Sequence, residues 1–286
     1  MEKVVKILSV WMLVNLVMGC AGPIEQNLEV NLVHAGKERR ALVHLPPGGG
    51  KGAPLVLVLH GYGGEPEGMK DWTGLDSLAD LAGMAVCYPE GLMDSRGMRH
   101  WNAGFAWTDV QDVAFFDELV DLLVEEFSLD ASKTFVSGMS NGGFMAYTLA
   151  CERPERYRAV ASVTGTMSPM TWSTCELSDM PPTLQFSGLK DNTVPYDGRV
   201  TFPQFASETS TFRLFESMAE GQEVKQMSLD TLRGLNPGWG PVVRRQFRRA
   251  DGDLRLELWT YENGPHTWFE GASERILSFF TEIANS

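Results

Sequence analysis

The chain has 286 residues, 43% of them hydrophobic, and its formal net charge at pH 7 is -13. This length and apolar content suffice for one large core but not for two separate domains of usual size, so we expect one globular domain. The acidic balance offers no electrostatic route to nucleic acid and argues against that class of partner. The cysteines and histidines form no cluster with the spacing of a metal site, so the sequence predicts no bound metal.

The first residues indicate export. Two lysines precede an apolar run at residues 7–18, which is about half of the ~20 residues needed to cross a bilayer, so it predicts a signal peptide over residues 1–19 rather than a membrane span. The run ends in VMGC, which resembles a bacterial lipoprotein signal whose cysteine is lipidated; ordinary secretion with cleavage nearby is the alternative. We therefore expect a lipid anchor at Cys20, a short tether over residues 20–27, and membrane contact through that anchor only. The expected location is extracellular or in the cell envelope, at the outer membrane or surface.

The next segments predict a central, mostly parallel sheet covered by helices. Residues 27–45 alternate apolar and polar side chains around a turn at residues 35–36, which is typical of a hairpin. Residues 54–59 are apolar throughout, as in a strand of a parallel sheet that is buried on both faces. Asp112–Phe127 is the clearest helix, with apolar side chains on one side and carboxylates on the other. Further short apolar runs occur at residues 84–88, 134–137, 159–163 and 183–186.

The last third of the sequence is less regular. Residues 200–241 mix polar and aromatic side chains, which fits either a cap or insertion over a site or a long surface loop with one helix. Two strands return at residues 242–249 and 254–261, and a final helix is predicted at residues 273–283. Strands that alternate with helices in this way predict a single α/β domain over residues 28–286.

Ser140 is the central residue of the pentapeptide GMSNG, which matches the G-x-S-x-G nucleophile elbow. In that motif a sharp turn from strand to helix exposes the serine hydroxyl, and the glycines allow close approach of neighbouring backbone. The pentapeptide alone is a weak signal. Strand-like residues 133–137 precede it and helix-like residues 143–150 follow it, so we interpret Ser140 as a nucleophile rather than a structural turn residue.

A serine hydroxyl needs a base to take its proton, and in hydrolases with this elbow the acid and then the histidine follow the serine along the chain. Among the five histidines only His266 lies after Ser140, so that order leaves one candidate base. Asp191 follows the predicted strand at residues 183–186, where sites of open α/β sheets gather, and is the candidate acid that orients the imidazole. Asp197 is the alternative acid, although its Tyr-Asp-Gly context is more typical of a turn.

Residues 60–64, with the sequence HGYGG, follow the buried strand at residues 54–59. They resemble the glycine-rich oxyanion loop of esterases, in which backbone N–H groups approach the substrate closely. We assign the oxyanion donors to the amides of Tyr62 and Asn141 and expect His60 to orient the loop.

Together these motifs resemble the secreted esterases of the polyhydroxybutyrate depolymerase type, which include bacterial feruloyl and acetylxylan esterases. The matching segments are HGYGG at 60–64, YPEG at 88–91, WN at 101–102, DVQDV at 109–113, GMSNGG at 138–143, Asp191 with VPY at 194–196, and HTW at 266–268. The resemblance implies an α/β-hydrolase fold, no cofactor, and hydrolysis of carboxylic esters through an acyl-enzyme, with Ser140, Asp191 and His266 in the matching positions. The chain departs from the family pattern just before His266 and over residues 200–241.

Export permits disulfides, and three cysteines remain beyond Cys20. Cys151 and Cys175 are the closest pair in sequence and also look like a pair familiar from such enzymes, so we predict that they are bridged. Cys87 stands in an apolar run and is expected to be buried and free.

Aromatic residues precede the helix Asp112–Phe127. Trp101, Phe105 and Trp107 form either a wall for an aromatic or sugar acyl group or ordinary packing. We take Trp101, Trp107 and Trp268 as candidate substrate contacts.

The sequence thus predicts a secreted or lipid-anchored serine esterase. Its expected partner is an ester substrate: feruloyl or acetyl esters of plant polysaccharide, or short polyhydroxyalkanoates.

Two alternatives remain open. One is a serine peptidase of the same fold, which would need a pocket for the amine leaving group. The other is a non-catalytic surface lipoprotein that binds glycan on an inherited hydrolase scaffold, although such proteins usually lose one residue of the triad.

Overall fold

The computed structural model describes residues 26–105, 108–198, 210–233 and 236–286. The predicted signal peptide, Cys20 and Trp107 lie outside these residues. The strands are β1 (Asn27–His34), β2 (Lys37–His44), β3 (Leu55–Leu59), β4 (Ala85–Pro89), β5 (Leu92–Met93), β6 (Arg99–His100), β7 (Thr134–Met139), β8 (Ala159–Val163), β9 (Thr183–Gly188), β10 (Gln226–Leu232), β11 (Val242–Arg248) and β12 (Leu254–Tyr261). The α-helices are α1 (Pro66–Thr73), α2 (Leu75–Ala82), α3 (Asp112–Phe127), α4 (Asn141–Glu152), α5 (Pro169–Thr174), α6 (Thr211–Gly221) and α7 (Ala272–Ala284). Within the described ranges, no helix is both long and apolar enough to span a bilayer.

The main sheet of the described residues has ten strands in the order β1-β2-β4-β3-β7-β8-β9-β12-β11-β10. From β4 to β12 neighbouring strands run parallel. At one edge β1 and β2 are antiparallel to their neighbours, and at the other edge β11 and β10 are. The predicted α/β fold with a mostly parallel central sheet is therefore confirmed.

Helices cover both faces of this sheet, and the side chains of β3 show why its sequence is apolar throughout. Leu55, Leu57 and Leu59 belong to the core layer that includes residues of α3, α4 and α6. Val56 and Val58 belong to the opposite layer, with residues of α1, α2 and α7. Because both faces are covered, each of the five positions of the strand is buried.

The predicted N-terminal hairpin is formed by β1 and β2, which are joined by a two-residue turn. Ala35 and Gly36 both have positive φ, 49° and 76°. Positive φ at both central residues matches the right-handed twist of the strands on either side of such a turn.

Within residues 200–241, the described part forms α6 and β10. Leu214, Phe215 and Met218 of α6 are buried in the core layer that also contains α3 and α4. β10 pairs antiparallel with β11 and forms the edge of the sheet, a strand that the sequence did not indicate. These parts extend the sheet and its helical layer, while residues 200–209 and 234–235, also part of the segment for which a cap or a surface loop was expected, lie outside the described residues.

A disulfide joins Cys151, in the last turn of α4, to Cys175, which follows α5. The two Cα atoms are 5.4 Å apart, and the predicted bridge is confirmed. A bridge between residues 24 positions apart typically stabilises a fold by about 3 kcal/mol. Cys87 is buried and free, and burial raises the pKa of its thiol, so this side chain belongs to the core.

Candidate active site

Ser140 lies at the junction of β7 and α4, where the chain turns sharply from strand to helix. Its backbone has φ 53° and ψ -119°, a sparsely populated conformation that costs of order 1–3 kcal/mol. The turn is held on both sides, because Ser140 N donates to Val163 O and Phe144 N donates to Ser140 O, each at 2.9 Å. The strained turn of a nucleophile elbow is therefore present at the predicted serine.

Close backbone contacts explain the glycines around Ser140. A Cβ atom at Gly138 would lie 2.4 Å from the carbonyl carbon of Gly142, and one at Gly142 would lie 2.3 Å from Leu59 O. A Cβ atom at Gly165, in the loop after β8, would lie 2.5 Å from Ser140 O. A side chain at any of these positions would displace the elbow from its neighbouring strands.

Asp191 and His266 form a hydrogen-bonded pair beyond the ends of the adjacent strands β9 and β12. Asp191 Oδ2 lies 2.7 Å from His266 Nδ1, and Asp191 Oδ1 accepts the N–H groups of Thr193 and Val194, both at 2.8 Å. An ionised carboxylate only accepts, so this contact requires a proton on Nδ1 and leaves Nε2 as an acceptor. The imidazole is thus held in the tautomer that a general base for serine needs.

The loops that carry this pair are tied together by backbone contacts. Leu189 N donates to Tyr261 O at 2.9 Å, and Lys190 N donates to Gly264 O at 3.1 Å. The alternative acid, Asp197, is exposed, whereas Asp191 is buried against the imidazole. The geometry therefore favours Asp191 as the acid.

Ser140, Asp191 and His266 follow the parallel strands β7, β9 and β12, so all three lie beyond the carboxyl edge of the sheet. Ser140 is 8% exposed and the His266 side chain is 20% exposed. Among the hydrogen bonds of the described residues, none joins the Ser140 hydroxyl to the His266 ring. In unliganded hydrolases this contact is often long and tightens when substrate binds.

Asn141 is the first residue of α4, and its side chain is occupied in holding Trp101. Its Oδ1 accepts from Trp101 N at 2.7 Å and its Nδ2 donates to Trp101 O at 3.0 Å. The backbone N–H, at the positive end of the helix, is therefore the part of Asn141 suited to an oxyanion. The loop of Tyr62 lies beside the elbow, since a Cβ atom on Gly61 would be 3.4 Å from Ser140 Cβ.

His60 is buried at the base of the loop that contains Tyr62. Its Nδ1 donates to Gly61 O at 2.7 Å and its Nε2 accepts from Gly91 N at 3.0 Å, an arrangement that fits the neutral ring. Burial lowers the pKa of His60 to about 4, although the bond to Gly61 opposes this shift. These contacts agree with the loop-orienting role expected from the sequence.

The low pKa of His60 predicts that the protein loses stability in mild acid. His60 protonates near pH 4 in the folded protein and near pH 6.5 when unfolded, so the unfolded chain binds more protons between these values. The free energy of unfolding should therefore fall by about 3 kcal/mol as the pH decreases from about 6.5 to about 4. Urea unfolding from pH 7 to pH 4 measures this loss.

The matched variant for this measurement is His60→Gln. Carboxylates titrate in both proteins and cancel in the difference, so the wild type should lose about 3 kcal/mol more than the variant over this range. Equal losses in both proteins would contradict the assignment.

The tryptophans proposed as substrate contacts occupy different environments. Trp101 is fully buried, and its ring centroid lies 4.8 Å from that of His60 and 5.2 Å from that of Phe116. Trp268 is also buried, and its Nε1 donates to Ser273 Oγ at 3.0 Å. Both indoles pack inside the domain in this structure, which corresponds to the packing interpretation rather than to a substrate wall. Trp107 lies outside the described residues.

A buried ion pair that was not identified from the sequence supports the segment of Trp101. Arg39 Nη2 lies 2.8 Å from Asp112 Oδ1, with both side chains almost fully buried. Asp112 Oδ2 accepts from Asn102 N at 2.7 Å, next to the Trp101 backbone that Asn141 holds. Burial lowers the pKa of Arg39, and the neighbouring Asp112 opposes this. The sequence held one indication of these contacts, since Asn102 and Asp112 lie in segments that resemble the esterase family described above.

A mostly parallel sheet with a serine elbow between a strand and a helix, and an Asp–His pair beyond the same edge, is the architecture of the α/β-hydrolases. The solved structures agree on the fold. The acetyl xylan esterase from Aspergillus awamori superimposes with a TM-score of 0.61 at 15% identity, over 90% of this chain and 99% of that one. The S-formylglutathione hydrolase from Agrobacterium tumefaciens gives 0.57 at 15% identity, over 91% and 94%.

The chain belongs to the esterase family described as "Putative esterase", whose match covers residues 33–257. It is 31% identical over 275 residues to "Putative esterase NocK" of Nocardia uniformis subsp. tsuyamanensis, spanning 86% of this chain and 78% of that protein. It is 32% identical over 192 residues to "Probable feruloyl esterase C" of Aspergillus flavus, spanning 64% of this chain and 65% of the relative. The protein is therefore a hydrolase that acts on esters. None of these named relatives is called a polyhydroxybutyrate depolymerase.

Proposed function

We propose that the protein is an exported serine esterase with Ser140 as nucleophile, His266 as general base and acid, and Asp191 as the residue that orients His266. The observation that carries this proposal is the strained elbow at Ser140 together with the Asp191–His266 pair beyond the same sheet edge. A strained serine turn has no evident structural use, whereas it presents a hydroxyl to a substrate. The paired imidazole supplies the proton acceptor that the hydroxyl requires.

The reaction proceeds in two halves. Ser140 Oγ attacks the ester carbonyl while His266 Nε2 takes the serine proton, and the same proton then passes to the leaving alcohol as the acyl-enzyme forms. Water next attacks the acyl-enzyme while His266 accepts its proton; the bond between the acyl carbon and Ser140 Oγ then breaks, the proton returns to Oγ, and the carboxylic acid is released. In each half the backbone N–H groups of Tyr62 and Asn141 donate to the carbonyl oxygen as it becomes negative.

The substrates that we propose are feruloyl or acetyl esters of plant polysaccharide. The support is the name of the Aspergillus flavus relative, feruloyl esterase C, and the fold shared with an acetyl xylan esterase. Short polyhydroxyalkanoates are the second substrate class, on the family resemblance of the motifs. For location, we propose secretion or a lipid anchor at Cys20, and the Cys151–Cys175 disulfide supports an oxidising compartment.

The test is a substrate panel with the purified mature protein. We expect hydrolysis of p-nitrophenyl acetate. We also expect a fluorophosphonate probe to label one serine, and peptide mapping should locate the label at Ser140. Methyl ferulate, acetylated xylan fragments and short polyhydroxyalkanoates then rank the ester classes. Absence of labelling would contradict the proposal and support a glycan-binding protein, and faster cleavage of p-nitroanilides than of esters would support a peptidase.

A further inference from the structure

The glycine-rich loop at residues 60–64 is held from one side by residues 91–102, which we call the clasp segment. This segment contains the two short antiparallel strands β5 and β6. Three hydrogen bonds join this segment to the loop. Gly91 N donates to His60 Nε2 at 3.0 Å, Gly63 N donates to Arg99 O at 2.8 Å, and Trp101 Nε1 donates to His60 O at 2.9 Å. The clasp segment is therefore built against the loop that carries one proposed oxyanion donor.

Tyr62 makes a further contact to the same segment through its side chain. Its hydroxyl donates to Asp94 Oδ2 at 2.5 Å, within the range of a bond to an ionised carboxylate. The phenol also forms a hydrogen bond with the side chain of Arg96. Burial and the Asp94 carboxylate both raise the pKa of Tyr62, so its hydroxyl stays protonated and remains a donor.

Asp94 is itself fixed before it receives the phenol. Its Oδ1 accepts from Arg96 N at 2.8 Å and from Met98 N at 3.0 Å, which closes the turn between β5 and β6. Its backbone N–H donates to Met98 O at 2.9 Å. One carboxylate oxygen thus organises the turn, and the other is directed at Tyr62.

The neighbours of Tyr62 explain why this contact matters. Tyr62 stands between Gly61 and the pair Gly63-Gly64, and glycines have no side chain with which packing could fix their backbone. Gly63 has a φ of 76°. The peptide group that carries the Tyr62 N–H is held at its carbonyl, because Gly61 O accepts from His60 Nδ1 at 2.7 Å and from Gly64 N at 3.0 Å. The bond from the Tyr62 side chain to Asp94 adds a second restraint, at the Cα atom next to this N–H. A donor displaced by about 1 Å can cost a factor of about 100 in rate.

We propose that Asp94 is a positioning residue: by accepting the Tyr62 hydroxyl it orients the Tyr62 backbone N–H toward the oxyanion. This inference rests on the proposed function, because it assumes an acyl-transfer reaction at Ser140. On the other side of the elbow, Asn141 is held in a matching way by its side-chain bonds to Trp101 of the same clasp segment. The side chains of Tyr62 and Asn141, the two residues whose N–H groups are the proposed donors, therefore both bond to the clasp segment.

The test uses the full mature protein and four variants. Tyr62→Phe keeps the backbone N–H and the turn at Asp94 but removes the phenol bond, so kcat for p-nitrophenyl acetate should fall about 10-fold with little change in KM. Asp94→Ala should cause a similar fall. Asp94→Asn keeps the turn, because its oxygen can accept from Arg96 N and Met98 N, but its NH₂ group then faces the phenol and can only donate to it. This neutral contact is weaker than the bond to a carboxylate, so kcat of Asp94→Asn should lie between those of Tyr62→Phe and the wild type. Tyr62→Phe with Asp94→Ala should lose no more than either single variant, because both remove one interaction.

The matched control is Tyr88→Phe, which removes a phenol–carboxylate bond of the same kind, 2.8 Å long, between Tyr88 and Asp76. It should leave kcat unchanged. A second readout separates positioning from general damage: the inhibition constant of a trifluoromethyl ketone, which becomes an oxyanion when bound, should rise by the factor by which kcat/KM falls.

An active wild type whose Tyr62→Phe variant keeps full kcat, or whose double variant shows additive losses, would overturn this inference and leave the proposed function standing. The same holds if the ketone inhibits the variants as tightly as it inhibits the wild type. A wild type without esterase activity would overturn the proposed function and this inference with it.

Discussion

Replacing Ser140 with alanine is expected to lower kcat for p-nitrophenyl acetate by roughly 10⁶-fold, to the residual rate that the oxyanion donors and binding alone provide. The elbow should survive the substitution, because its bonds to Val163 and Phe144 come from the backbone and alanine fits the space of serine. Steady-state kinetics with a spectroscopic check of folding measures the effect. The loss should appear in kcat, with the KM for the ester little changed.

The matched control is Ser132→Ala, in the exposed turn after α3, where the hydroxyl bonds only to Asp130 among the described residues. This variant should keep the wild-type rate. A Ser140→Ala protein that retains more than a small fraction of wild-type activity, after contaminating host esterases are excluded, would show that another residue is the nucleophile.

Replacing Asp191 with asparagine is expected to lower kcat by roughly 10⁴-fold, because it changes the tautomer of His266. Asp191 Oδ1 accepts two backbone N–H groups, from Thr193 and Val194, so the oxygen of an asparagine must occupy that position. Its NH₂ group would then face His266 Nδ1 and require that nitrogen to accept. The ring proton would move to Nε2, which could no longer take the proton of Ser140.

Asp197→Asn is the comparison for this experiment, because Asp197 is the alternative acid and lies six residues further along the chain. We expect it to retain wild-type kcat. The assignment would be reversed if Asp197→Asn lost the activity and Asp191→Asn kept it. A proton NMR signal of the His266 ring in the Asp191→Asn protein would report the tautomer directly.

The elements found from the sequence are those whose signal is local. Residues 54–59 were apolar at every position, and the buried strand β3 lies within them at Leu55–Leu59. Asp112–Phe127 has the predicted boundaries, and the last helix differs by one residue at each end. Ser140 could be proposed as the nucleophile because two glycines that the turn requires, Gly138 and Gly142, lie within two positions of it. His266 could be proposed as the base because it is the one histidine after Ser140.

What the sequence did not indicate depends on contacts between distant residues or on very short elements. Asp94 lies 32 residues from Tyr62, and Asp112 lies 73 residues from Arg39, so no pattern along the chain links either pair. β5 and β6 have two residues each, too few to show an alternation. β10 has exposed Met227 and Leu229 at an edge, so its sequence lacks the burial pattern that marks an inner strand.

The tryptophans show the same limit for the substrate site. Trp101 and Trp268 stand beside motif residues in the sequence, yet both indoles turn into the interior. Their direction is decided by partners elsewhere in the chain, Phe116 of α3 and Ser273 of α7. The position of these tryptophans near the motifs therefore predicted that they lie close to the candidate site, but it did not predict whether their side chains face a substrate or the interior.

The order of strands in the sheet has a consequence for the synthesis of this protein. The proposed base, His266, follows β12, which comes after β7 and Ser140 in the chain, and β12 must pair with β9 before the ring can contact Asp191. A growing chain on the ribosome thus carries Ser140 without its proposed base until β12 and the residues that follow it have been translated. The proposed reaction would become possible only once β12 has joined the sheet beside β9.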